Sequence, residues 1–239
     1  MKRLSTIALL ISAVFILSSC GNAASAGDES QKNNETASLE VENTSEQGSN
    51  SPELSSADKA LIVYFSMPET TSGENMTQDE ENSVVVIDGQ VLGNTQYVAA
   101  LIQEQTQADI FRIEPKAPYP MEHEELVSIA EEERTNNVRP ELKSNIENLD
   151  NYDTVFVGYP IWWSDFPMIM YTFFDENDFA GKTIIPFNTH GGSGLAGTVK
   201  TIKELEPNAQ VSDNAFSVSR NDVQNCKDDL DNWLNELGY

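Results

Sequence analysis

The chain has 239 residues, enough for one domain with a full hydrophobic core and too few for two once a polar amino-terminal stretch is set aside. Fourteen Lys and Arg stand against 39 Asp and Glu, a formal charge of -25, so the surface repels phosphate backbones and anionic headgroups and argues against a nucleic-acid partner. Two cysteines, Cys20 and Cys226, exclude a disulfide framework as the source of stability.

Lys2 and Arg3 precede an apolar run from Ile7 to Leu17, too short to span a bilayer and the right size for a signal-peptide core. The run ends in Leu17-Ser18-Ser19-Cys20, which resembles the lipobox of bacterial lipoproteins. That resemblance implies a signal peptide over 1–19, a lipidated Cys20, export, and attachment to the outer face of the cytoplasmic membrane through the lipid alone. A plain secretory cleavage site near Ala23-Ala24 is the alternative. From residue 20 to 57 the composition is Ser, Asn, Glu, Gln and Gly, too polar to offset its ordering entropy. As a random coil this tether would hold a domain over 58–239 roughly 35 Å from its anchor.

From Lys59 onward, apolar runs of strand length alternate with segments of helical period, the pattern of a parallel sheet covered on both faces. Strands are expected over Ala60 to Phe65, Asp109 to Glu114, Thr154 to Val157, Thr183 to Phe187 and somewhere in Val211 to Val218. Helices are expected over Gly93 to Gln105, Pro120 to Glu133, Asp165 to Phe174 and Leu195 to Leu205. A last helix aligns Val223, Cys226, Leu230, Trp233, Leu234 and Leu237 on one stripe, which buries Cys226. Five strands with crossover helices make a three-layer α/β sandwich, whose ligands collect at the carboxyl ends of the strands.

Three loops at those ends carry the candidate chemistry. The first strand ends at Ser66-Met67, and a helix start, Gly93-Asn94-Thr95, follows only after residues 67–92. Within that insertion Val84 to Ile87, Asp88-Gly89 and Val91-Leu92 spell a tight hairpin. Hydroxyls of Ser66 and Thr95 with free N–H groups at a helix start suit a phosphate dianion without Lys or Arg. The third strand runs into Gly158-Tyr159-Pro160-Ile161-Trp162-Trp163, where one indole can stack on a planar heterocycle while the other packs inward. The fourth ends in Thr189-His190-Gly191-Gly192-Ser193-Gly194, glycines that let backbone approach a ligand. Nothing places a nucleophile and a carboxylate beside His190, which argues against a hydrolase. His123, among glutamates, is expected to be solvated, and no metal site is expected.

Taken together, Leu61 to Ser66, Gly93 to Thr95, Gly158 to Trp163 and Thr189 to Gly194 resemble a bacterial branch of the flavodoxins, with Pro118-Tyr119-Pro120, Arg139 to Leu142 and Phe179 to Phe187 in the same order. The resemblance covers about Lys59 to Tyr239. It implies a flavodoxin-like sandwich with a five-stranded parallel sheet in the order 2-1-3-4-5. It also implies noncovalent FMN, with its phosphate at Ser66, Met67 and Gly93 to Thr95. The isoalloxazine would lie between Pro160 to Trp163 and Thr189 to Gly194, stacked by Trp162 or Trp163, with backbone of the tryptophan loop near the reactive nitrogen. Two departures stand out: residues 67–92 split the phosphate loop, and Ser164 occupies a place where this branch often has glycine.

The function this implies is an FMN-binding electron-transfer protein at the cell surface, working with a redox partner protein or a quinone. An NAD(P)H-dependent quinone or flavin reductase is the close alternative, and a flavin-free binding module on the same fold is a third reading.

Overall fold

The computed structural model describes residues 60–239. The expected signal peptide, the lipid attachment at Cys20 and the whole of the expected tether lie outside the described residues.

Strand β1 (Ala60–Tyr64) is buried along its whole length. It sits between β4 (Asp109–Arg112) and β5 (Thr154–Pro160), and pairs in parallel with both. Beyond β5 lies β6 (Thr183–His190), which pairs in parallel with two short strands in succession, β7 (Gln210–Val211) and β8 (Phe216–Ser219). The order is β4-β1-β5-β6-β7, the 2-1-3-4-5 arrangement expected from the sequence. The fifth position is broken because Ser212 to Asn214 fold into a turn in which the Asn214 N–H donates to Ser212 Oγ. The Asn214 carbonyl then accepts from the Trp233 indole, which ties that turn to the last helix.

Alternation along β1 sends Ala60, Ile62 and Tyr64 to one face and Leu61, Val63 and Phe65 to the other. On the first face pack α2 (Asn94–Thr106), through Val98, Leu101 and Ile102, and α6 (Lys227–Leu237), through Leu230, Trp233 and Leu234. On the second pack α4 (Met168–Glu176), through Ile169, Met170 and Phe173, and α5 (Thr198–Leu205), through Ile202. Beside α4 runs α3 (His123–Asn136). The stripe that includes Cys226 is buried, and burial pushes its thiol up to about 11, which keeps it protonated and unreactive.

Helices α3, α4 and α5 each start three residues later than the sequence suggests. Residues 162–165 close a tight turn, and Pro167, with no N–H to leave unpaired, caps α4. Ala196 and Gly197 take positive φ, and α5 begins only at Thr198. The segment between β1 and α2 holds a six-residue helix, α1 (Gln78–Ser83), and an antiparallel hairpin of β2 (Val84–Ile87) and β3 (Gln90–Gly93). Helix α1 is held by a capping box between Thr77 and Glu80, while the hairpin sends Val85 into the core on the α2 face.

Candidate functional site

The carboxyl ends of β1, β5 and β6 open into a cleft of about 290 Å³, near the lower end of the range of roughly 300 to 1,000 Å³ typical of cofactor sites. Ser66, Met67, Asn94, Thr95, Pro160, Ile161, Trp162, Trp163, Thr189, His190 and Gly191 all line it. Gly93 does not line it but packs against Ser66, which does. Gly192, Ser193 and Gly194 do not line it, and the Gly194 carbonyl accepts from Asn188 Nδ2 at 2.9 Å.

At one end, β1 delivers Ser66 against the start of α2. A Cβ on Gly93 would lie 2.2 Å from Ser66 Oγ, so glycine leaves the room that the Ser66 hydroxyl occupies. Helix α2, like α4 and α5, starts without a side-chain acceptor from its cap and without an acid in its first turn, whereas α1 and α3 both carry carboxylates there. The Gly93 N–H donates to Gln96 Oε1 at 3.3 Å, while the N–H groups that follow it have no partners within the helix and, with the positive end of the helix dipole, favour an anion. Asn94 Nδ2 donates to the Asn82 carbonyl, which leaves the buried Asn94 Oδ1 without a partner. Thr95 Oγ1 meets Thr189 Oγ1 at 2.8 Å and joins this end of the cleft to the floor of the other.

The other end is built on the two indoles, which divide the work. Trp162 turns inward and meets Phe65 and Tyr119 edge-on, with ring centroids 5.6 Å apart in both cases. Trp163 lines the cleft and stands 43% exposed, a flat ring of the kind that stacks on a heterocycle. The turn that presents it is closed by Trp162 N–H to the Asp165 carbonyl at 2.7 Å and by Asp165 N–H to the Trp162 carbonyl at 3.0 Å. Its two central residues, Trp163 and Ser164, have φ of 51° and 63°, a geometry that favours Asn-Gly. Asp165 anchors the turn by accepting from the Phe166 N–H and the Tyr171 hydroxyl. The Ile161 N–H donates to the Thr189 carbonyl at 3.1 Å, which sets the tryptophan loop beside the β6 loop.

His190 Nδ1 accepts the Gly192 N–H at 2.9 Å, so that nitrogen carries no proton. Burial holds its pKa below the ordinary value, with Asp222 opposing. The ring is neutral and braces its own loop.

Four residues of this region escape the sequence reading. His123, expected to be solvated, instead pairs through Nδ1 with Glu69 Oε2 at 2.8 Å and lies 3.8 Å from Asp79. Burial raises the Glu69 carboxyl and His123 opposes that rise. The partners lie 54 positions apart, so no local spacing announces them. Arg220 lines the cleft with its guanidinium against Gly191, where a Cβ would come within 3.3 Å of it. Arg112 lies behind Ser66, so a cation does stand near this end of the cleft.

A family model described as Flavodoxin matches residues 83–237. Among solved structures, the chain is similar to a candidate flavoprotein from Bacteroides uniformis, with 26% identity, a TM-score of 0.56, and 74% of this chain and 97% of that chain covered. It is also similar to a candidate flavoprotein from Bacteroides eggerthii, with 25% identity, a TM-score of 0.49, and 72% and 98% covered. A flavoprotein from Lactobacillus acidophilus in complex with FMN matches at 19% identity and a TM-score of 0.48, with 74% and 99% covered. No curated protein sequence matches the chain.

Proposed function

The chain belongs to the flavodoxin family, and from that premise we propose that its cleft binds FMN noncovalently for electron transfer. One observation carries this reading: a helix start free of acids, with Asn94 and Thr95 lining the cleft, and an indole 43% exposed meet in a single cleft although they come from separate loops. The phosphate would rest on the N–H groups at the start of α2 and on the hydroxyls of Ser66 and Thr95. Asn94 Oδ1, buried and lacking a donor, matches a hydroxyl of the ribityl chain. Trp163 would lie on the isoalloxazine, with the backbone of 160–163 and 189–191 along its edges. Bound there, FMN supplies one- and two-electron transfer.

The likeness to the Bacteroides uniformis protein supports a flavin as the ligand. The reading extends to a lipid-anchored protein at the outer face of the cytoplasmic membrane, on the strength of Leu17 to Cys20 and the polar stretch after it. Its partner would be a redox protein with a basic docking surface or a quinone, since the charge of -25 disfavours acidic surfaces.

Titration of the purified protein with FMN, followed in the visible spectrum, tests the reading. Bound flavin should show a shifted spectrum, and Trp163→Ala should weaken binding. A protein that stays colourless with its secondary structure intact is a flavin-free module. Rapid oxidation of NADH or NADPH by the holoprotein would make it a reductase rather than a carrier.

A further inference from the structure

Strand β4 ends in a way that a sheet alone does not explain. Its ladder with β1 runs in register to Tyr64 opposite Arg112, and the Ile113 N–H donates to the Tyr64 carbonyl at 2.8 Å. In a parallel ladder the next rung would run from the N–H of residue 115 to the carbonyl of Ser66. Residue 115 is proline, which has no N–H. The missing donor is supplied by a side chain: Arg112 Nη2 reaches the Ser66 carbonyl at 3.2 Å.

A neutral donor would have completed that rung. The chain places a guanidinium there, half-buried, with Nε buried and unpartnered. Among the described residues, Lys116, Arg139, Lys143, Lys200, Lys203 and Lys227 each lie within 4 Å of a carboxylate, whereas Arg112, Arg134, Lys182 and Arg220 do not, and of these four Arg112 is the one bonded to Ser66. The nearby Glu114 is engaged by Lys143 at 2.9 Å. In so acidic a chain, a cation without an ion pair directly behind Ser66 calls for an anion in front of it.

We propose that Arg112 is a positioning residue for phosphate recognition, holding Ser66 against Gly93 through the Ser66 carbonyl and lending its charge to the phosphate end of the cleft from behind the strand. The inference rests on the FMN reading of the cleft. It adds a specific consequence, that Arg112 favours the phosphorylated flavin over its unphosphorylated form.

Riboflavin, which lacks the phosphate, separates this role from that of a strand prop. Dissociation constants for FMN and riboflavin are to be measured by flavin fluorescence on the full chain stripped of flavin, as wild type, Arg112→Gln, Arg112→Lys and Arg112→Met, at low and high salt. Arg112→Gln, which keeps a donor and loses the charge, should weaken FMN by about tenfold or more, the range of a charged hydrogen bond, and riboflavin by less than about threefold. Arg112→Lys should recover most of the FMN affinity, and the salt dependence of FMN binding should shrink in Arg112→Gln. Arg112→Met should show at least the FMN loss of Arg112→Gln, and if it does not fold, the Gln and Lys variants decide alone. Equal losses for both flavins, or an unchanged FMN constant, overturn the proposal. Wild-type protein that binds neither flavin overturns the FMN reading and this inference with it.

Discussion

At one end of the cleft Ser66, Asn94 and Thr95 are exposed by no more than 8%, and a glycine seals the contact between β1 and the start of α2. At the other, Trp163 is 43% exposed, and it and Ser164 occupy the left-handed region, at a cost of roughly 1 kcal/mol or more for each. The first end achieves its shape by close packing of small residues. The second holds a large ring in solvent by spending strain on a short turn. The contrast fits a ligand with two unlike parts: a compact anion that needs fixed donors, and a flat ring that needs a platform reached from solvent.

The sharpest way to break the comparison is to spoil the packed end. Gly93→Ala places a Cβ 2.2 Å from Ser66 Oγ, a contact relieved only by turning that hydroxyl out of its place at the phosphate end or by parting the two segments. It should cost roughly 1–3 kcal/mol of stability in urea unfolding, and about 100-fold in FMN affinity. An alanine variant that binds FMN normally would show that the tight end does not hold the phosphate.

At the strained end, the two indoles should respond in opposite ways. Trp162→Ala empties the place between Phe65 and Tyr119 and should destabilise the fold by about 2–4 kcal/mol. Trp163→Ala removes an exposed ring from an unfavourable φ and should leave stability nearly unchanged. It should weaken FMN by roughly 10- to 100-fold, the worth of one stacking face. Equal losses of stability in both variants would dissolve the distinction between them. A smaller effect is expected from Ser164→Gly, which frees a φ of 63° and should stabilise the protein by about 0.5 kcal/mol in the same unfolding assay.

How much of this was legible in the sequence depends on the range of the interaction. The strands and most helices follow from apolar runs and periodicity, and each of the three loops that form the cleft was visible because glycine, tryptophan and proline are conspicuous where a strand ends. Helix α1 was not, since Gln78 to Ser83 has no apolar residue to set a period; its one local mark was Thr77 with Glu80 three residues on. The pairing of His123 with Glu69 and that of Arg112 with Ser66 cross 54 and 46 positions, distances over which a sequence carries no spacing rule. Pro115 was the available clue to Arg112, because it removes a ladder donor three residues after an arginine on a strand. Read from the sequence alone, however, it marks only the end of a strand.

His190 offers the finest test, because it stiffens the strained end from within. Its Nδ1 must stay unprotonated to accept the Gly192 N–H, and burial already holds its pKa below the ordinary 6.5. The unfolded chain therefore binds the proton more readily than the native one. The stability tied to the neutral ring is fully present above about pH 6.5 and is lost as pH falls through the lower native value. Riboflavin is the right probe, since it removes the titrating phosphate of FMN from the measurement. Its affinity should fall with stability over that acid range, and His190→Asn, whose amide oxygen can accept the same N–H without titrating, should flatten both profiles. Riboflavin binding with the same acid profile in His190→Asn as in wild type would place the titrating group elsewhere, and the brace on this loop would then owe nothing to the charge state of His190.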